Sequence, residues 1–84
     1  MARYYFDFRE GKDLFRDNEG TELPGDEAAR QEAAQTLAGI MRDAMPAGAM
    51  RRDMSLEVRD ESGRPLFVSR MVFEVTVVGS EDLP

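Results

Sequence analysis

Only one segment of this chain has helical periodicity, and both of its flanks alternate every second residue instead. Between positions 26 and 45, Ala29, Ala33, Leu37, Ile40, Met41 and Ala44 recur at spacings of three and four, which lines one face of a helix. Arg30, Gln31, Glu32, Gln35, Arg42 and Asp43 fall mostly elsewhere. The first half of the apolar stripe is alanine, so this helix can lie close on a sheet. Its start is marked by Asp26 as N-cap, or by Gly25 with Asp26 and Glu27 in the first turn; either choice puts negative charge at the positive end of the helix dipole. Pro46 and Gly48 are expected to stop it.

The flanks read as strands. In residues 3–9, Tyr4, Phe6 and Phe8 point one way and Arg3, Tyr5, Asp7 and Arg9 the other, the pattern of a strand with one buried face. A turn at Glu10-Gly11-Lys12-Asp13 leads to a short strand at 14–16. Asp17-Asn18-Glu19-Gly20 suits another turn, because Asp opens type I turns and Gly supplies the positive φ that closes them. Thr21-Glu22-Leu23 is a third short extended piece, ended by Pro24-Gly25. Residues 46–53 read as a loop. Met54, Leu56 and Val58 then alternate with Ser55, Glu57 and Arg59, Asp60-Glu61-Ser62-Gly63 turns, and 66–78 form a long β-branched and aromatic run with a bend at Ser69-Arg70. Gly79 to Pro84 is expected to be a frayed polar tail. Phe15-Arg16-Asp17 through Leu23 echoes Val58-Arg59-Asp60 through Leu66, with Arg, Asp, Gly and Leu at the same offsets. Two hairpins sharing one turn solution explain the echo. The expected architecture is α+β: β-hairpin, helix, β-hairpin, in an antiparallel sheet of about four strands with one helix on one face, all in a single domain, 1–84.

Eighty-four residues make a thin core, of the kind often reinforced by disulfides, metals or oligomerisation. The chain has no cysteine and no histidine, which leaves oligomerisation. No apolar run reaches the roughly 18 residues of a membrane span, and the first residues lack the character of a signal peptide, so a cytoplasmic location is expected. The formal charge is −6, from 17 acidic and 11 basic residues, which disfavours nucleic acid as a partner. Lys12 is the single lysine, and the arginine bias is better explained by codon usage than by a demand for bidentate pairing.

Candidate chemistry is sparse. Glu10, Asp13, Asp17, Glu19, Glu22, Asp26 and Glu27 crowd one stretch, but Asp17-Asn18-Glu19-Gly20 fails the calcium-loop template, so solvated turn residues explain them better than a metal site. Ser55, Ser62, Ser69 and Ser80 have no base beside them, and no glycine-rich nucleotide loop is present. No enzyme activity and no cofactor are expected. Arg51-Arg52 is the one local basic pair, a candidate polar contact beside Asp53. The aromatic run Tyr4-Tyr5-Phe6-x-Phe8 fits a small core better than a base-stacking platform, and leaves Tyr5 facing outward. The most suggestive feature is the last strand. Phe67, Met71, Phe73, Val75 and Val77 share one face, while Val72 and Val78 put apolar groups on the other. Met71, Phe73, Val75 and Val77 are therefore the expected interface of a homodimer.

The N-terminal two-thirds resembles a family of small uncharacterised proteins from alphaproteobacteria, a domain of unknown function. Arg3-Tyr4-Tyr5-Phe6, Asp17-x-Glu19-Gly20-Thr21-Glu22-Leu23-Pro24, Ala29-Arg30-Gln31-Glu32-Ala33 and Val58-x-Asp60-Glu61-x-Gly63-x-x-Leu66 carry the likeness. Members more often have His where Asp7 stands, and the stretch after Arg70 departs from the family. Leu23-Pro24-Gly25-Asp26-Glu27-Ala28 is similar, more weakly, to the corresponding segment of HicB-type antitoxins, though their extra strand and DNA-binding tail are not evident. The expected function is a non-catalytic interaction or regulatory module that self-associates and binds a protein partner, an antitoxin-like inhibitor being one version. The alternative is a small-ligand or cation-binding protein using the acidic turns.

Overall fold

The structure, a computed structural model, describes residues 1–44, 48 and 50–79. Six elements follow in order: β1 (Ala2–Glu10), β2 (Asp13–Phe15), β3 (Thr21–Leu23), α1 (Asp26–Ala44), β4 (Arg51–Asp60) and β5 (Pro65–Glu74). The sheet has five antiparallel strands in the order β2-β1-β4-β5, with β3 also paired to β1.

β2 and β3 lie end to end along the same edge of β1. Phe8 faces Phe15 and Tyr4 faces Thr21, so the chain runs in one direction past β1 and bulges outward between the two contacts. This corrects the expectation of two equivalent hairpins. Of the two echoed turns, only Asp60-Glu61-Ser62-Gly63 reverses the chain, between β4 and β5. Asp17-Asn18-Glu19-Gly20 instead interrupts a strand. The local chemistry is nonetheless shared. Asp17 Oδ1 accepts from the amides of Glu19 and Gly20, Asp60 Oδ1 from those of Ser62 and Arg64, and Gly20 and Gly63 take φ of 73° and 89°. An Asx turn fixes local geometry, while the strand that captures its flanks decides whether the chain reverses.

α1 packs across β4 and β5. Ala29, Ala33, Leu37 and Met41 are buried on Tyr4, Met54, Leu56 and Val58, and Phe6, Phe8, Ile40, Met71 and Phe73 pack around them. The amide of Ala29 donates to Gly25 O at 3.0 Å, which makes Gly25 the N-cap and leaves Asp26 in the first turn. There Asp26 Oδ1 accepts from the Tyr4 hydroxyl at 2.7 Å, tying the helix start to β1. The expected stop at Pro46 and the tail from Ser80 lie outside the described residues.

Two strand limits differ from the expectation. β4 begins at Arg51, inside the expected loop, because Arg51, Arg52 and Asp53 pair with Glu74, Phe73 and Val72. β5 ends at Glu74 although the β-branched run continues to Val78. Its last link to the preceding strand is Val75 N–H to Met50 O at 2.6 Å, beyond which the chain offers no strand to pair with among the described residues. Ser69 and Arg70 sit in regular register; the irregularity lies between Val58 and Arg59.

Leu37 is 1% exposed at the centre of this core. Leu37→Ala is expected to lower unfolding free energy by about 3 kcal/mol, read from the urea midpoint, with the half-buried Ile40→Ala costing less.

Candidate functional site

The face of the sheet turned away from α1 is a lattice of ion pairs between neighbouring strands. Arg3 Nη2 meets Glu22 at 3.1 Å, Arg51 Nη1 meets Glu74 at 2.9 Å, and Arg70 Nε meets Asp53 at 2.9 Å. Arg9 pairs with Glu57. Charges placed opposite or diagonal in adjacent strands stabilise a solvated face only modestly, but they make it self-sufficient.

Asp7 lies at the centre of this lattice and is 5% exposed, the one buried charged side chain among the described residues. Its Oδ2 accepts from Arg59 Nε at 2.8 Å and its Oδ1 from the backbone amide of Asp17 at 2.9 Å; Arg16 Nε stands 3.7 Å away. Burial pushes the Asp7 pKa upward, but the hydrogen bond from Arg59, the Asp17 amide and the charges of Arg59 and Arg16 outweigh it and hold it below the usual range. Arg16 and Arg59 occupy the same offset in the two halves of the sequence echo, so both copies of that motif aim a guanidinium at one carboxylate.

Asp17 completes the arrangement. Its Oδ2 accepts from the amide of Phe6 at 3.1 Å, filling the gap on the β1 edge between β2 and β3, while its carbonyl accepts from Arg59 Nη2 at 2.9 Å. Burial again raises its pKa, and the amides of Gly20, Phe6 and Glu19 reverse the shift despite the nearby Asp7 charge. A Cβ at Gly20 would stand 2.9 Å from Arg3 Cγ and 3.0 Å from Tyr5 Cε2, so this turn presses directly on β1. Arg59 also lies over the Tyr5 ring, 4.6 Å from its centroid. Tyr5 is accordingly half-buried beneath the lattice.

Beside Asp7 an open cleft of about 380 Å³ runs toward the β4–β5 turn, walled by Arg16, Glu57, Arg59, Leu66 and Val68. Asp17 and Asp60 spend carboxylate oxygens on backbone amides, which is the work a bound cation would otherwise do in an acidic turn. No three acidic side chains converge among the described residues.

The expected site residues are dispersed. Arg51 and Arg52 point to opposite faces: Arg51 pairs with Glu74 and Asp53 on the ionic face, and Arg52 pairs with Glu10 on the helix side. They do not form a joint basic patch. Met71 and Phe73 are half-buried and pack against the core. Val75 and Val77 lie past the end of β5, exposed. The Asp7–Arg59–Asp17 cluster did not figure among the expected site residues, although the doubled Arg-Asp of the sequence echo is its signal.

The domain of unknown function DUF6894 matches residues 3–76. The chain belongs to that family. The match covers more than the N-terminal two-thirds, running past Arg70 and past the end of β5 at Glu74. No curated protein and no solved structure matches the chain.

Both depressed carboxylates stabilise the fold above the unfolded-state pKa of about 3.9 and lose that contribution as pH falls through their lower folded values. Stability to urea is therefore expected to drop below about pH 4, and Asp7→Asn to flatten that drop while lowering stability at neutral pH. Asp7→Ala, which strands Arg59, is expected to cost about 3 kcal/mol in the same titration.

Proposed function

We propose that this member of the DUF6894 family is a non-catalytic interaction module that self-associates and binds another protein. The observation that carries the reading is β5. It is an edge strand with no neighbour on its outer side among the described residues, and Val68, Val72, Val75, Val77 and Val78 are exposed along or just beyond it. Such an edge is a template for another chain. Met71 and Phe73 contribute from the helix side, where part of each side chain stays accessible, while the valines supply the outer surface. A chain without histidine or cysteine, whose buried carboxylate is fully engaged by Arg59 and the Asp17 amide, supports binding over catalysis. Binding a basic, nucleic-acid-acting protein, in the manner of an antitoxin, is a concrete version that the net charge of −6 favours.

A second reading, a small-ligand site, rests on the cleft beside Asp7. It requires phosphate, acetate or magnesium to shift the amide resonances of Arg16, Glu57 and Leu66; unchanged resonances at millimolar additive would remove it.

Light scattering over a range of concentrations is expected to give a mass approaching twice the 9.5 kDa chain. Val72→Asp is expected to weaken the dimer about tenfold, or 1.4 kcal/mol, with the urea midpoint of the monomer little changed. A monomer at every concentration would sink self-association.

A further inference from the structure

The outer edge of β5 fits a second copy of itself in one particular register. Because the amide of Val75 donates to Met50 O, residues 50 and 75 form a hydrogen-bonded pair. Hydrogen-bonded and non-hydrogen-bonded pairs alternate along an antiparallel ladder. Phe67, Ser69, Met71 and Phe73 therefore direct their backbone groups toward β4. Val68, Arg70, Val72 and Glu74 direct theirs to the open edge. These same four residues carry their side chains on the ionic face, as their partners Glu57, Ser55, Asp53 and Arg51 do.

We infer that two copies pair antiparallel through β5 about a two-fold axis at Val72, joining their sheets into one. Val72 then faces Val72 of the second copy, and Arg70 faces Glu74 of the second copy on both sides of the axis. On the helix side Met71 faces Phe73. Beyond them Val75 faces Ser69, Thr76 faces Val68, Val77 faces Phe67 and Val78 faces Leu66. The register matches Arg70 with Glu74 and sets Val72, Met71, Val77 and Val78 against apolar residues, with Val75–Ser69 and Thr76–Val68 mixed, and it supplies a strand for residues 76–78, whose β-branched sequence has no strand to pair with among the described residues. Centring the axis on Arg70 would set two arginines against each other. Centring it on Met71 would set Arg70 against Val72 and Glu74 against Val68. Cross-strand pairs of opposite charge stabilise and like charges destabilise, so the Val72-centred register is selected. Arg70 already holds Asp53 and Glu74 already holds Arg51, and the new pairs would link the two ionic faces into one continuous lattice.

This inference rests on the proposed self-association and adds the surface and the register. The chain has no cysteine, so a single introduced thiol reports one distance. Under mild oxidation Val72→Cys is expected to form a disulfide-linked dimer. Arg70→Cys is expected to remain unlinked, because a four-residue offset sets its two copies about 13 Å apart, beyond disulfide reach. The more exposed Val68→Cys measures random collision and should also stay unlinked. A parallel experiment mixes Arg70→Glu with Glu74→Arg. Each alone is expected to dimerise more weakly than the unaltered chain, and the mixture to form heterodimers through the restored charge pairs. A dimer by light scattering in which Val72→Cys links no faster than Val68→Cys, or in which Arg70→Cys links instead, would overturn the register and leave self-association standing. A monomer throughout would overturn both.

Discussion

One helix can cover one face of a five-stranded sheet, and the other face and the edges must be stabilised by other means. In a chain of this length the constraint is severe, because no second layer is available and no disulfide or histidine-based metal site can substitute. The helix side is closed by conventional packing, alanines allowing a close approach at one end of α1 and Leu37 and Met41 filling the space at the other. The opposite face is closed by arginine–carboxylate pairs that bridge β1 to β3 and β4, and β4 to β5. The arginine bias of the sequence thus has a structural use: a planar guanidinium can bridge two strands and still reach a backbone carbonyl, as Arg59 does with Asp7 and the Asp17 carbonyl.

Asp7 is the position where this arrangement is most demanding. A carboxylate buried in the middle of a strand is costly unless its oxygens are occupied. Here they are occupied from two directions, by Arg59 on the neighbouring strand and by the backbone of the bulge that interrupts β2 and β3. The bulge is itself held by Asp17, whose carboxylate takes the place of a missing strand residue at the Phe6 amide. A local turn, a strand edge and a buried charge are therefore one cooperative unit. Its groups are satisfied by one another, which is why it reads as architecture and why the functional reading moves to the edge of the sheet.

At that edge the fold leaves something undone. β5 carries apolar residues on both faces, and the β-branched run continues from its end at Glu74 to Val78, past the start of its partner β4 at Arg51. That surplus is visible only once the pairing register is known.

The amino-acid sequence by itself determined the helix, its apolar stripe, most of the core and the α+β order of elements, because these follow from local periodicity and turn chemistry; Leu14, expected to meet the helix, is exposed instead. It also marked the two Asp-x-x-Gly turns and the surplus of valine near the C-terminus. Only the tertiary structure decided that the first turn is a bulge and the second a hairpin, since the difference lies in which strand captures the flanking residues. The same holds for Asp7: period-2 alternation assigns it to the solvent side, and only the convergence of Arg59, Arg16 and the Asp17 amide, 9 to 52 residues away in the chain, buries it. Arg51 and Arg52, adjacent in sequence, were separated onto opposite faces by the pleat. Met71 and Phe73 were drawn into the core by α1, whereas Val75 and Val77 were left outside it. Local sequence specifies what each segment prefers to be; long-range pairing specifies what each side chain meets.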